Sequence, residues 1–240
     1  VTEWERRGDR FLAERQRRIG ALVLARERLD PLPEGLRERA LLDAVREQGL
    51  GLLPWNAAAR ALRDRIALLH RTLPEEDWPD VSDEALLVTL EAWLAPWLHD
   101  VRRLGDLRRL DLAACLAALL PWARREALDR LAPERIAVPS GSRIAVDYAT
   151  DPPVLAVKLQ ELFGCTTTPR IVDGRVPLTI HLLSPAGRPL QVTQNLETFW
   201  RDVYPEVRKE MRGRYPKHPW PEDPLTATPT RHTTGRSPAH

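Results

Sequence analysis

The chain has 240 residues, of which 43% are hydrophobic and 29% are charged, a composition typical of a globular protein. No apolar run approaches the ~18 residues that a membrane helix requires, and residues 1–19 lack the apolar centre of a signal peptide. The net charge of +2 does not by itself indicate nucleic-acid binding. The two cysteines, Cys115 and Cys165, form no disulfide framework or CxxC pair, so we expect ordinary buried thiols and a reducing, cytoplasmic location.

The N-terminal part, residues 1–33, is predicted to be a strand segment and a candidate part of a small β domain. Residues 2–5 and 10–13 flank a turn at residues 7–9, and the apolar run at residues 19–25 predicts a third strand. Two prolines, Pro31 and Pro33, then end the pattern.

Residues 34–132 follow a helical period and are predicted to form a helical domain. Gly49 ends a first helix, and Asn56, Ser82 and Asp111 are predicted N-caps of later helices. The apolar face after Ser82 extends to Trp97, which predicts one continuous helix.

Residues 133–224 are predicted to form an α+β C-terminal domain. Strands at 135–138 and 143–146 form a hairpin, a helix covers 154–163, and strands at 176–183 and 190–193 form a second hairpin. A helix capped by Asn195 continues to Gly213 with a bend at Pro205, and residues 225–240 are predicted to be a disordered tail. The fold class is therefore α+β, with an N-terminal strand segment, an α-helical middle and a mixed, β-rich C-terminal part.

Catalytic motifs do not occur in this sequence. A P-loop needs a Gly-Lys pair, but the three lysines follow Val157, Arg208 and Pro216. Residues 83–85 begin like a DExH box, yet Leu86 stands where histidine is required, and a helix start explains them better. The histidines and cysteines lack zinc-site spacing, and no serine lies in a GxSxG motif. We therefore predict no catalytic residue, no metal site and no cofactor within this chain.

One basic and aromatic segment, residues 208–221, stands out. It combines five Arg or Lys residues with Tyr215, His218 and Trp220, the residue types that contact phosphates and stack on exposed bases. Arg208 and Arg212 would align on a helix, with Arg201 two turns earlier. The candidate nucleic-acid-binding residues, including three loop arginines, are Arg170, Arg175, Arg188, Arg201, Arg208, Lys209, Arg212, Arg214, Tyr215, Lys217, His218 and Trp220.

Three alternatives remain open at this point. Tyr215 and Trp220 could instead pin the C-terminal segment onto the core, with the charges merely solvated. The predominance of arginine, which supplies 33 of the 36 basic residues, could reflect a GC-rich genome. Residues 75–100 contain eight acids and no Lys or Arg, which favours a protein-interaction or autoregulatory module that makes no nucleic-acid contact.

Several motifs resemble the C-terminal region of HrpB-type helicases, which are DEAH-related bacterial proteins. These motifs are Leu-Leu-Pro-Trp at 52–55, Val-Pro-Ser-Gly-Ser at 138–142, Lys-Leu-Gln-Glu-Leu-Phe-Gly at 158–164, Val-Pro-Leu at 176–178, Leu-Leu-Ser-Pro-Ala-Gly-Arg-Pro at 182–189, Phe-Trp at 199–200 and Gly-Arg-Tyr-Pro-Lys-His-Pro-Trp-Pro at 213–221. The resemblance implies an accessory region of an ATP-dependent RNA or nucleic-acid helicase whose motor domains, with their ATP and Mg²⁺, lie outside this chain. The implied partners are single-stranded nucleic acid and the protein's own motor domains, with no membrane contact.

Overall fold

The N-terminal strands form an antiparallel sheet of order β1-β2-β3 in the computed structural model, which describes residues 2–7, 10–19, 22–29 and 33–232. The strands are β1 (Thr2–Arg7), β2 (Arg10–Ile19) and β3 (Leu22–Leu29). The predicted strands are thus present, although Ile19 ends β2 and β3 begins at Leu22. Residues 8 and 9 of the predicted turn lie outside the described residues.

The helical region contains six helices among the described residues. They are α1 (Glu34–Gln48), α2 (Ala57–Thr72), α3 (Asp83–Val88), α4 (Leu90–Trp93), α5 (Leu112–Ala117) and α6 (Trp122–Leu131), with 3₁₀ turns at Leu50–Leu52, Ala95–Trp97 and Leu104–Arg109. The three predicted N-caps are confirmed. Asn56 accepts a hydrogen bond from the Ala59 N–H at 2.8 Å, and Ser82 and Asp111 do the same for the N–H groups three residues on.

The prediction of one helix from Ser82 to Trp97 is wrong, because the segment breaks twice. At Thr89 the backbone leaves the helix (ψ 17°), while the side-chain hydroxyl donates to the Ala85 carbonyl at 2.7 Å, a local hydrogen bond that competes with regular helix. Pro96, which has no N–H to donate, then lies in the 3₁₀ turn. Apolar spacing alone does not reveal such breaks.

The C-terminal region is built on a mixed five-stranded sheet of order β10-β9-β6-β5-β4 and a two-stranded ribbon of β7 and β8. The strands are β4 (Arg135–Ala137), β5 (Arg143–Asp147), β6 (Val154–Lys158), β7 (Arg170–Ile171), β8 (Val176–Pro177), β9 (Thr179–Leu183) and β10 (Pro189–Thr193). Both predicted hairpins are present, but the expected strand 176–183 divides into β8 and β9 at Leu178, whose N–H donates to the Pro169 carbonyl.

The predicted helix at 154–163 is wrong. These residues form β6 and a 3₁₀ turn at Leu159–Leu162. Leu155 and Val157 alternate as buried side chains, and β6 pairs with β5 on one side and in parallel with β9 on the other. The segment is therefore an interior strand, whose nearly continuous apolar pattern resembles that of a buried helix.

The last helical stretch consists of α7 (Leu196–Thr198), a π-helical segment (Phe199–Val203) and α8 (Tyr204–Arg214). Asn195 caps it by accepting from the Thr198 N–H at 3.0 Å, as predicted, and the helix extends one residue beyond Gly213. An aromatic cluster anchors this stretch, because Phe163, Trp200 and Tyr204 contact one another with ring centroids 5.4 to 6.4 Å apart.

Residues 225–232, assigned to a disordered tail from sequence, follow a defined path. Just before this segment, the Gly164 N–H donates to the Pro224 carbonyl at 2.9 Å. Within it, the Thr230 N–H donates to the Gln160 carbonyl at 3.0 Å. Residues 233–240 of the predicted tail lie outside the described residues.

The chain forms two compact units, residues 1–125 and 126–240. In the first unit the core consists of apolar side chains from α1 to α5, including Leu41, Ile66 and Leu90, and in the second it lies around the mixed sheet, including Leu155 and Ile180. Within the described ranges, no helix is both long enough and apolar enough to cross a membrane.

Candidate nucleic-acid interface

Helix α8 presents the basic segment through a clear division of its faces. Tyr204 and Met211 are 1% and 2% exposed and fix the buried face, while Lys209, Arg212 and Arg214 are exposed. The Tyr204 hydroxyl donates to the Pro221 carbonyl at 2.8 Å, and burial raises the pKa of this phenol. The buried apolar side of α8 therefore fixes the orientation of the helix, and its charged side faces solvent.

Two of the predicted cations are occupied by contacts within the protein. Arg208 donates from Nε to the Trp220 carbonyl at 2.9 Å and from Nη2 to Glu222 at 3.2 Å. Arg201 forms a two-point ion pair with Asp202 at 2.7 and 2.9 Å, which raises the pKa of Arg201 and lowers that of Asp202.

The predicted alignment of Arg201 with Arg208 also rests on a regular α-helix between them. The π-helical segment at Phe199–Val203 widens one turn by about one residue. A spacing of seven residues therefore no longer corresponds to two α-helical turns.

Three cations on α8 are open to solvent. In the described part of the chain, Lys209, Arg212 and Arg214 have no ion pair, and Lys209 and Arg212 are one turn apart. Glu206 and Glu210, also exposed on α8, reduce the positive potential without pairing with these cations. The open face is thus a set of positive charges available to an anionic ligand.

The aromatic residues of the segment face inward. Trp220 is 8% exposed, and its indole N–H donates to the Tyr215 carbonyl at 2.9 Å. Tyr215 is half-buried and packs edge-on against His218, with ring centroids 6.3 Å apart. In this conformation Trp220 has no free face for a base, and the arrangement supports the pinning role that the sequence left open.

His218 belongs to the same packed group. Its Nδ1 atom is buried without a hydrogen-bond partner among the described residues. Burial, and to a lesser extent the nearby Lys158, lowers the pKa of the imidazole. The neighbouring Lys217 is exposed, so its side chain faces solvent.

Of the three predicted loop arginines, Arg170 begins strand β7, whereas Arg175 and Arg188 lie in the β7–β8 and β9–β10 turns. Arg170 supports the β7–β8 turn by donating to the carbonyls of Gly174 at 2.5 Å and Arg175 at 3.2 Å. Arg175 and Arg188 are exposed, and the backbone of Arg188 closes the β9–β10 turn with Ser184. Arg170 therefore has a structural role in the β7–β8 turn, although it is as exposed as the other two arginines.

The acidic segment at residues 75–100 is partly neutralised inside its own unit. Arg124 pairs with Glu76 at 2.5 Å, Arg63 pairs with Asp83 at 2.6 Å, and Glu91 pairs with Arg46. Two further acids, Glu84 and Asp100, are exposed, and Asp100 contacts the His99 ring at 3.0 Å. The acids thus hold helices together as well as contributing negative surface.

A polar network between Ser140 and the buried Glu161 could not be predicted from the sequence. The Ser140 hydroxyl donates to the Glu161 carboxylate at 2.8 Å, and the Ser140 N–H donates to the Glu161 carbonyl at 3.2 Å. Glu161 is only 6% exposed, and the intervening turn uses Gly141 at φ 81°, a conformation that favours glycine. The Val-Pro-Ser-Gly-Ser motif was the available signal, and its role here is to hold the first hairpin against the 3₁₀ turn.

The cysteines offer little reactivity, although Cys165 is half-buried rather than buried as predicted. Partial burial still raises the pKa of the Cys165 thiol. Cys115 is fully buried, and burial raises the pKa of its thiol to about 11, so almost none of it is thiolate at neutral pH. Within the described ranges, no group of three or more His, Cys, Asp or Glu side chains could hold a metal ion.

Comparison with known proteins supplies the family. Residues 93–224, more than half of the chain, match the family model described as "ATP-dependent helicase C-terminal" for HrpB proteins. Residues 1–29, which contain β1 to β3, match the connector region of the ATP-dependent RNA helicase HrpB. The sequence had indicated only a strand segment there.

A curated relative and two solved structures agree with this match. The ATP-dependent RNA helicase HrpB of Escherichia coli (strain K12) is 47% identical over 234 residues. A crystal structure of the E. coli DExH-box NTPase HrpB is 45% identical with a TM-score of 0.83 over 97% of this chain, and one of the E. coli DEAH/RHA helicase HrpB is 44% identical with a TM-score of 0.72 over 92%. This chain spans 29% of the curated relative and 29% and 28% of the two solved chains. The resemblance seen in the sequence motifs is confirmed, and the chain belongs to the family of HrpB-type ATP-dependent helicase C-terminal regions.

Proposed function

We propose that this chain is the accessory C-terminal region of an ATP-dependent RNA helicase and that it contacts single-stranded RNA through the open face of α8. The carrying observation is that Lys209, Arg212 and Arg214 are exposed and without ion pairs in the described part of the chain, whereas Arg201 and Arg208 are held by intramolecular partners. Cations free of protein partners can neutralise phosphates without first breaking a contact.

ATP hydrolysis belongs, in this proposal, to motor domains elsewhere in the full-length protein. The 240 residues contain no Gly-Lys pair that could cradle a triphosphate, so ATP and Mg²⁺ are assigned no step on this chain. Its residues would hold or steer the strand while the motor moves it. The motor domains of the same polypeptide are the second proposed partner, and the bacterial cytoplasm is the proposed location.

Removal of the three open cations tests the proposal. We expect that changing Lys209, Arg212 and Arg214 together to alanine weakens binding of a labelled oligouridine, measured by fluorescence anisotropy. The log–log plot of affinity against salt should also become shallower by about 2, since each single-strand phosphate contact contributes a slope of about −0.7.

A matched variant controls for net charge. Arg102, Arg103 and Arg108 are also exposed but lie in the first unit, and their combined change to alanine removes the same charge. We expect it to leave the salt slope close to that of the unmodified chain. Equal slopes for the α8 variant and the unmodified chain would contradict the proposal and favour a protein-interaction module.

A further inference from the structure

The tetrapeptide Leu-Leu-Pro-Trp occurs twice, at 52–55 and 119–122, and its two tryptophans have different surroundings. Trp55 is half-buried, donates its indole N–H to the Leu50 carbonyl at 2.9 Å, and is covered by the Arg63 guanidinium 5.1 Å from the ring centroid. Trp122 is 76% exposed, and its side chain makes no hydrogen bond or ring contact with the described part of the chain. Trp122 in the second copy therefore lacks the indole hydrogen bond and the guanidinium contact that Trp55 makes in the first copy.

The contact that the Trp122 ring lacks is one with a guanidinium group. An arginine follows the tryptophan by eight residues in both copies, as Arg63 and Arg130, but Arg130 is held by the Asp173 carboxylate at 2.7 and 2.8 Å. The ring of Trp78 is likewise covered by a guanidinium, that of Arg124, at 5.0 Å. An indole face of this kind attracts a guanidinium, and Trp122 has none.

An apolar cleft of about 310 Å³ lies next to Trp122 in the chain. It is lined by Ala92, Trp93, Pro96, Trp97, His99, Ala118 and Leu119. Leu119 precedes Trp122 by three residues, and Val88, which is 79% exposed, precedes the lining residue Ala92 by four. Exposed apolar side chains beside a cleft are characteristic of protein-binding surfaces, and tryptophan is prominent among the residues that dominate such interfaces.

The exposed carboxylates near the cleft favour a basic occupant over RNA. Two nearby guanidinium groups, those of Arg37 and Arg125, already donate to the carbonyls of His99 and Leu120. The lining contains no Lys or Arg, and none occurs between residues 75 and 100. Glu84, one helical turn before Val88, is exposed without an ion pair in the described part of the chain. Asp100, beside the lining residue His99, is 92% exposed. These carboxylates would repel a phosphate backbone and attract arginine or lysine.

We propose that Trp122, Val88 and this cleft form a docking surface for a peptide segment of a partner protein that carries arginine among aliphatic side chains. The aliphatic side chains fill the cleft, and a guanidinium covers the Trp122 indole as Arg63 covers Trp55. The residues of this surface belong to the first unit and the cations of α8 to the second, and the surface is occupied independently of RNA.

Selection from a library tests both the surface and the chemistry of its occupant. Random peptides displayed on phage are selected on the 240-residue chain and counter-selected on its Trp122→Ala variant. We expect Trp122-dependent peptides enriched in arginine and aliphatic residues. As synthetic peptides in anisotropy measurements, they should bind about tenfold more weakly to Trp122→Ala, in keeping with the loss of a central interface tryptophan.

The control is Val192→Ala, because Val192 is an exposed apolar residue (53%) on β10, away from the cleft residues in sequence. It should leave peptide affinity unchanged. Recovery of no Trp122-dependent peptide, or of peptides without an excess of basic residues, would overturn the proposal. Loss of oligouridine affinity in Trp122→Ala would also overturn it, by making a nucleobase the occupant.

Discussion

Individual side chains of the basic segment have different partners, and these partners separate structural roles from candidate binding roles. Arg208 and Trp220 are tied to the same loop, because Arg208 Nε donates to the Trp220 carbonyl and the Trp220 indole N–H donates to the Tyr215 carbonyl. Lys209 and Arg212, only a few residues away, use none of theirs on ion pairs in the described part of the chain. Sequence alone treats these residues alike, since composition predicts a basic and aromatic segment but not which side chains are already engaged.

Trp220 should matter for stability more than for RNA. We predict that Trp220→Ala lowers the free energy of unfolding by about 3 kcal/mol, the lower end of the usual cost of removing a buried tryptophan, because the ring is 8% exposed. Denaturant unfolding measures this change.

The same substitution at Trp122 is the control, and it should cost less than about 0.5 kcal/mol, since that ring is 76% exposed. If the two variants unfolded at the same denaturant concentration, Trp220 would not pin the segment to the core.

At the level of elements, structure that depends on neighbouring residues can be predicted from the sequence, whereas structure that depends on the pairing of distant strands cannot. The caps at Asn56, Ser82, Asp111 and Asn195 depend on residues three positions away, so their sequence motifs suffice. The strand β6 depends on β9, whose residues lie about two dozen positions later. Its apolar residues fit either a buried strand or a helix face, and only the parallel pairing decides between them.

The cap at Asn195 supports the stretch that carries the open cations. We predict that Asn195→Ala costs about 1 kcal/mol of stability, because the Thr198 N–H loses its acceptor. The variant Asn195→Asp, which keeps an acceptor, should recover most of this loss in thermal denaturation.

RNA-binding measurements distinguish the role of the Asn195 cap from that of the open cations on α8. The salt slope of oligouridine binding should be the same in the alanine variant as in the unmodified chain, since no positive charge is removed. A shallower slope in Asn195→Ala would mean that the cap orients the RNA-binding face rather than only stabilising it.

At the level of the whole molecule, the chain forms two compact units, residues 1–125 and 126–240. It also matches two parts of one helicase family, a connector region at residues 1–29 and a C-terminal region at 93–224. The resemblance in motifs predicted the family, and the absence of a Gly-Lys pair predicted that the ATP-hydrolysing groups are not among these 240 residues. The burial of the aromatic residues and the exposure of Trp122 could not be predicted, because both depend on how separate elements pack.

The most direct test of the central claim is photo-crosslinking of the 240-residue chain to single-stranded RNA that contains 4-thiouridine, with the crosslinked peptides identified by mass spectrometry. We predict crosslinks in α8 and the loop that follows it, residues 204–217, which decline as salt is raised. Crosslinks confined to residues 1–125, or crosslinking of α8 that is insensitive to salt, would contradict an RNA contact made by the open cations of this helix.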